Sequence, residues 1–166
     1  LIRTFARAGD TMATTRAAFV AYSICAQIHG VHTWECPLDE GFVPDLDELA
    51  RKVETDASVK IVFLANPNNP TGVHIPHPVL WAFLERVEKI RDGSVLVVMD
   101  YAYWEYVSAK DLTPPEQILR RFSNAVVLRT FSKIYGLAGA RLGYAMGASQ
   151  VLEWVERIRQ PFNFSS

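Results

Sequence analysis

Short apolar runs, each long enough for a buried strand, alternate along this chain with segments of helical periodicity. VKIVFLAN (59–66), SVLVVMD (94–100) and NAVVLRTFS (124–132) are nearly continuous apolar runs, typical of strands covered on both faces. VHTWECPL (31–38) alternates between apolar and polar positions, as a half-buried strand does. Two further strands are predicted at TMATTRAAF (11–19), which runs into a turn, and at RLGYAMG (141–147).

Helical segments lie between these strands. DLDELARKVE (45–54) has a capping residue in Asp45 and an apolar face at Leu46, Leu49 and Val53. The other predicted helices are the opening LIRTFARAGD (1–10), VAYSICAQIHG (20–30) ending at Gly30, PHPVLWAFLERVEKIRDG (76–93), PPEQILRRFS (114–123) and SQVLEWVERIRQP (149–161) stopped by Pro161. Alternating strands and helices predict an α/β fold with a mostly parallel sheet flanked by helices.

Composition narrows the class of protein. A length of 166 residues allows one sizeable core, and 49% hydrophobic with 21% charged residues is typical of a globular protein in water. A net charge of −1 without a basic stripe argues against nucleic-acid binding, and every apolar run is too short to cross a membrane. We therefore expect a cytoplasmic protein with no nucleic-acid or membrane partner, in which Cys25 and Cys36 are reduced.

Two histidine pairs, His29 with His32 and His74 with His77, raise the question of a metal site. No set of cysteines and carboxylates with a recognised ligand spacing accompanies them. We expect no bound metal, and histidines at the surface or at helix ends.

Polar residues directly follow three of the buried strands. NPNNPTG (66–72) follows one, Asp100 and Tyr103 follow the next, and TFSK (130–133) follows the third. Ligands of parallel sheets bind at the carboxyl ends of the strands, so these segments are expected to meet. Taken singly, each has an ordinary explanation: a rigid turn, a helix cap or ion-pair partner, and a solvated surface lysine.

Taken together, these residues predict a site for pyridoxal 5'-phosphate. A lysine forms a Schiff base with the aldehyde of this cofactor, whose ring then acts as an electron sink. A carboxylate keeps the ring nitrogen protonated, donors hold the ring oxygen as an anion, and hydroxyls with a cation hold the phosphate. The residues for these roles are Lys133 for the Schiff base, Asp100 for the ring nitrogen, Asn69 and Tyr103 for the ring oxygen, and Thr130, Ser132 and Arg141 for the phosphate.

The motifs NPNNPTG, DYAY (100–103) and TFSKIYGLAGARLGY (130–144), in this order, resemble those of fold-type I pyridoxal-phosphate aminotransferases. RTFSK followed by GLAGARLGY, together with AFVAYSICAQIHG (18–30) and PLDEGFVPDLDEL (37–49), most resembles the histidinol-phosphate aminotransferase branch. The resemblance covers nearly the whole chain.

The resemblance implies the same roles for the residues named above, with Lys133 also transferring the substrate proton. It implies that Phe19 lies over the cofactor ring; the alternative is a plain core phenylalanine. It further implies histidinol phosphate and 2-oxoglutarate as substrates and a homodimer as the complete enzyme. Residues 1–166 would then be the large cofactor-binding domain, truncated at both ends and without the small C-terminal domain.

The chain departs from the family at two places: Ala17 and Ala18 precede Phe19 where Pro-Thr is usual, and Tyr101 stands where Glu is common. The motifs serve the cofactor and not the substrate, so an aromatic aminotransferase and a threonine-phosphate decarboxylase stay open. A non-catalytic, aminotransferase-like regulatory domain is the alternative from another class. A nucleotide site at GLAGARLG (136–143) is disfavoured, because it matches neither the P-loop nor the dinucleotide-binding glycine pattern.

Overall fold

A computed structural model describes residues 1–108 and 110–160, which form a six-stranded sheet with helices on both faces. The strands are β1 (Thr11–Thr15), β2 (His32–Cys36), β3 (Val59–Ala65), β4 (Leu96–Asp100), β5 (Ala125–Thr130) and β6 (Gly143–Gly147). The helices are α1 (Ile2–Phe5), α2 (Ala21–Ile28), α3 (Leu46–Thr55), α4 (His77–Lys89), α5 (Pro115–Arg121) and α6 (Ser149–Ile158). Short 3₁₀ turns occupy Ile90–Gly93, Trp104–Tyr106 and Ala138–Ala140.

The strands are arranged in the order β2-β1-β3-β4-β5-β6, and neighbours are parallel except for β5 and β6. The predicted α/β fold with a mostly parallel sheet is confirmed, and all six predicted strands are present. The central strands β3 and β4 are buried on both faces, which explains why their sequences read as continuous apolar runs.

Two hydrophobic clusters, one on each face of the sheet, form the core. The first joins inward residues of the sheet to α3, α4 and α5, and the second joins the opposite face to α1, α2 and α6. The predicted apolar face of α3 is confirmed, since Leu46, Leu49 and Val53 are all buried. The predicted cap is confirmed as well, because the Asp45 carboxylate accepts a hydrogen bond from the Glu48 amide at 2.9 Å.

Helix α2 follows its sequence signal, but two other helices are shorter than predicted. Helix α1 ends at Phe5, where Ala6 is extended, and not at residue 10. Helix α4 ends at Lys89, and a 3₁₀ turn takes the place of its predicted last residues. Gly30 follows α2 with φ of +67°, and a side chain at this position would meet the Ala8 Cβ at 3.1 Å. Helix α6 ends at Ile158 with Arg159 as its cap, and Pro161, the predicted stop, lies outside the described residues. Of the helices in the described ranges, none combines the length and apolar character needed to cross a bilayer.

Candidate active site

The carboxyl ends of β3, β4 and β5 lie side by side. The backbone ladder continues past the strands, with the Asn66 amide donating to the Asp100 carbonyl at 2.9 Å and the Tyr101 amide to the Leu128 carbonyl at 3.0 Å. A cleft at this edge is lined by Phe19, Tyr22, Ala65, Pro67, Asn69, Asp100, Ala102, Tyr103 and Lys133. The three polar segments therefore meet at this edge, where Asn69, Asp100, Tyr103 and Lys133 line the cleft together with Phe19.

NPNNPTG forms a turn that is tied down at its start. The side chain of the fully buried Asn66 donates to the Ile75 carbonyl at 3.1 Å and accepts from the Ile75 amide at 2.8 Å. Asn68 reaches across to the Ala17 carbonyl at 3.1 Å, and both Asn–Pro peptide bonds are cis. The side-chain hydrogen bonds of Asn66 and Asn68 thus hold the segment as a turn, and this turn presents Asn69 to the cleft.

Asp100 ends β4 with a donor on each carboxylate oxygen. The Tyr22 hydroxyl donates to Oδ2 at 2.5 Å, and the Ala102 amide donates to Oδ1 at 3.0 Å. Burial, and then the negative charge of Asp100, raises the pKa of Tyr22, so the phenol keeps its proton. The pair fixes the orientation of a carboxylate that faces the cleft.

Tyr22 was missed by the sequence reasoning. It lies three residues after Phe19, and the two rings meet edge to face at 5.8 Å. Its own ring stacks on Phe63 of β3 at 4.9 Å. The available signal was the closeness of the two aromatic residues in sequence, since Phe19 lies just before the cap of α2 and Tyr22 in its first turn.

Phe19 is 45% exposed, so the core interpretation of this residue is wrong. It lines the cleft opposite the strand ends. Just before it, Ala17 adopts φ of +54°, an uncommon conformation for a residue with a side chain. The hydrogen bond from Asn68 to the Ala17 carbonyl holds this segment against the NPNNPTG turn.

Lys133 is exposed at the mouth of the cleft. Its Nζ lies 4.9 Å from the centroid of the Tyr103 ring. Among the described residues, no carboxylate forms an ion pair with it, which leaves the amine available to a ligand in the cleft.

Of the three residues predicted to hold a phosphate, Thr130 and Ser132 are linked by a hydrogen bond, and Arg141 is bonded elsewhere. Thr130 Oγ1 accepts from the Ser132 amide at 3.1 Å and donates to the Leu142 carbonyl at 3.3 Å. Arg141, with φ of +52°, is exposed and donates to the Ala138 carbonyl at 2.8 Å. No described contact joins Arg141 to Thr130 or Ser132, although all three lie beside the end of β5.

Tyr101, one of the two departures from the family pattern, has a structural explanation. Its side chain is fully buried, stacks on Trp104 at 5.2 Å and donates to the Thr113 carbonyl at 3.0 Å. Burial raises the pKa of this tyrosine. A glutamate here would place a charge in the core, so a neutral donor suits the position.

The cysteines and two of the histidines have local roles. Cys25 is exposed and Cys36 is buried, and both are free thiols. The Cys36 thiol donates to the Asp45 carbonyl at 2.9 Å, and burial raises its pKa to about 11. His74 pairs with Asp111 and His77 with Thr113, both at 3.0 Å.

Comparison with known proteins gives a consistent result. Residues 1–166 match the family described as aminotransferase class I and II. The histidinol-phosphate aminotransferase of Anaeromyxobacter sp. (strain Fw109-5) is 45% identical over 98% of this chain and 43% of its own length. Histidinol-phosphate aminotransferase 1 of Psychrobacter arcticus is 43% identical over 99% of this chain and 41% of its own length.

A solved structure agrees with the sequence relatives. The histidinol-phosphate aminotransferase of Sinorhizobium meliloti, solved in complex with pyridoxal-5'-phosphate, is similar with a TM-score of 0.88 and 31% identity. The match covers 99% of this chain and 43% of that one. The chain spans less than half the length of these relatives.

Proposed function

Since the chain belongs to the class I and II aminotransferases, we propose that it carries the cofactor site of an enzyme that transfers an amino group from histidinol phosphate to 2-oxoglutarate. The observation that carries this proposal is the cleft itself. Lys133, Asp100 and Tyr103 come from two different strand ends and line one cavity. The relatives named histidinol-phosphate aminotransferase support the choice of substrate.

The donor set fits pyridoxal phosphate. An amine without an ion-pair partner, a carboxylate held by two donors and an amide beside a phenol match the aldehyde, the ring nitrogen and the ring oxygen. When bound, the cofactor supplies an electron sink for the carbon that loses a proton. The hydroxyls of Thr130 and Ser132, with the guanidinium of Arg141, are proposed to hold its phosphate.

Each residue then has a defined task. Lys133 Nζ would bind the aldehyde and, once the substrate amine had displaced it, would be free to move the proton from the substrate carbon that bears the amino group. Asp100 holds a proton on the ring nitrogen, and Asn69 and Tyr103 donate to the ring oxygen. Phe19 covers one face of the ring and limits its contact with water.

The test uses the complete protein reconstituted with pyridoxal phosphate and follows the visible absorbance of the bound cofactor. Histidinol phosphate is expected to remove the band, and 2-oxoglutarate to restore it. Lys133→Ala is expected to abolish the response, whereas Lys89→Ala, at an exposed lysine in the last turn of α4, leaves it unchanged.

Four results would contradict parts of the proposal. A band that responds to aromatic amino acids and not to histidinol phosphate would identify an aromatic aminotransferase. Release of carbon dioxide from threonine phosphate would identify a decarboxylase. A band indifferent to every amine would favour a regulatory domain, and absence of any band would refute the role given to Lys133.

We also propose that the complete enzyme is a cytoplasmic homodimer, with residues 1–166 forming the large domain. Exposed apolar side chains directly after Lys133 support the dimer, because a subunit interface would bury them. They are Ile134, Tyr135 and Leu137. Sedimentation equilibrium of the complete protein tests the dimer, and a monomer at micromolar concentration would rule it out.

A further inference from the structure

Arg129 and Glu105 form an ion pair near the ends of β5 and β4. Arg129 is the penultimate residue of β5, and Glu105 lies in the 3₁₀ turn Trp104–Tyr106. Their side chains are only 12% and 17% exposed. Among the ion pairs of the described residues, this is the one in which both side chains are less than a fifth exposed.

Stability alone is a weak reason for such a pair. Two buried charges lose much of their hydration, and apolar residues of similar size often serve the fold as well or better. The Arg129 guanidinium is not even fully satisfied, since its buried Nε has no hydrogen-bond partner. A pair that loses this much hydration is better explained by the relative position in which it holds the two segments.

The pair links the segment after β4 (102–107) to the segment at the end of β5 (129–133), beyond the last backbone hydrogen bond between them. The last backbone hydrogen bond between the two segments runs from the Tyr101 amide to the Leu128 carbonyl. Beyond it, the Arg129–Glu105 pair is the one hydrogen bond or ion pair that the described residues show between 102–107 and 129–133.

The two ends of this link carry the reactive groups. Tyr103 lies two residues before Glu105, and Lys133 lies four residues after Arg129. The Tyr103 ring and the Lys133 amine approach each other at 4.9 Å across the cleft. We propose that Arg129 and Glu105 are positioning residues that set the place of Tyr103 relative to Lys133, and this inference rests on the proposed function.

The test is a pH titration of the visible band of pyridoxal phosphate bound to the complete protein. A donor on the ring oxygen stabilises the deprotonated form of the chromophore, so loss of that donor raises the midpoint of the titration. Glu105→Gln is expected to raise the midpoint by about one pH unit, in the same direction as Tyr103→Phe. Glu88→Gln, which breaks the more exposed pair with Arg121, is the matched control and should leave the midpoint unchanged.

Non-additivity separates positioning from a general structural effect. If Glu105 acts through Tyr103, Glu105→Gln adds no further rise once Tyr103→Phe is present. A second variant covers the case in which Glu105→Gln folds poorly because a charge is left unpaired. Arg129→Met combined with Glu105→Met removes both charges, and it is expected to fold and to show the same rise.

Two outcomes would overturn the inference. A midpoint that stays at the wild-type value in the folded double variant would show that the pair does not position Tyr103. A rise that adds in full to that of Tyr103→Phe would assign the effect to another part of the site. A wild-type protein with no visible band would instead refute the proposed function, and the inference with it.

Discussion

Single residues at the strand ends show how chemistry constrains sequence. Asp100 and Lys133 could be predicted as site residues because each follows the apolar run of a buried strand. The carboxyl ends of parallel strands share one sheet edge, where ligands bind. Tyr22 escaped identification because its ring behaves as an ordinary apolar residue, stacked on Phe63. Its hydroxyl donates to Asp100, which lies seventy-eight positions further along the chain, and no local sequence pattern predicts a contact over that separation.

Tyr22→Phe is the corresponding prediction at this scale. Loss of the hydroxyl removes one of the two donors on Asp100, so the carboxylate is held less firmly in the orientation proposed to face the cofactor ring. Unfolding free energy is expected to fall by about 1.5–3 kcal/mol, as for a hydrogen bond to a charged group. Affinity for pyridoxal phosphate is expected to fall about tenfold, which equals about 1.4 kcal/mol.

Tyr101→Phe is the matched control, because it also removes a buried tyrosine hydroxyl. It leaves the Thr113 carbonyl without its donor and should cost about 1–3 kcal/mol of unfolding free energy. Cofactor affinity should not change, since that hydroxyl does not touch Asp100. Equal losses of affinity in both variants, measured by fluorescence titration, would show that Tyr22 matters for the fold alone.

Elements were more predictable than their mutual directions. Continuous apolar runs located three strands and apolar–polar alternation a fourth, while capping signals located helices. Nothing in RLGYAMG indicates the direction of β6. The antiparallel direction of β6 follows from its connection, because residues 131–142 hold only a 3₁₀ turn. A parallel neighbour needs a longer crossover, usually with a helix, so the short connection was the signal to use.

Helix α3 provides a prediction at the element scale. Asp45→Ala removes the carboxylate that accepts from the Glu48 amide, and the first turn loses its cap. The expected loss is about 1 kcal/mol of unfolding free energy, measured by urea denaturation of the complete protein. Asp47→Ala removes a fully exposed carboxylate two residues on and should leave the midpoint in place. Equal effects of the two substitutions would assign the loss to general surface charge.

The whole molecule gathers the site from segments distant in sequence. The sequence predicted which strand ends meet, because parallel topology sends their carboxyl ends to one edge. It did not predict how the residues proposed to hold the phosphate are arranged, since Arg141 lies in a turn and its side chain donates to the Ala138 carbonyl. Turn side chains have no face periodicity from which a direction could be inferred.

Hydrogen exchange measured by mass spectrometry tests this convergence. A ligand held by all three segments stabilises the native state, by about 2.7 kcal/mol at a hundredfold excess over Kd. Pyridoxal phosphate should therefore slow exchange most at 66–72, 100–106, 129–133 and around Arg141. It should slow exchange least in α3, which packs in the core cluster on the sheet face opposite to α2. Pyridoxal, which lacks the phosphate but keeps the aldehyde, should protect the first two segments fully. It should protect 129–133 only in part, through Lys133, and should give no protection around Arg141. Equal protection by both compounds would show that Thr130, Ser132 and Arg141 do not hold the phosphate, because the cofactor ring alone would account for every contact.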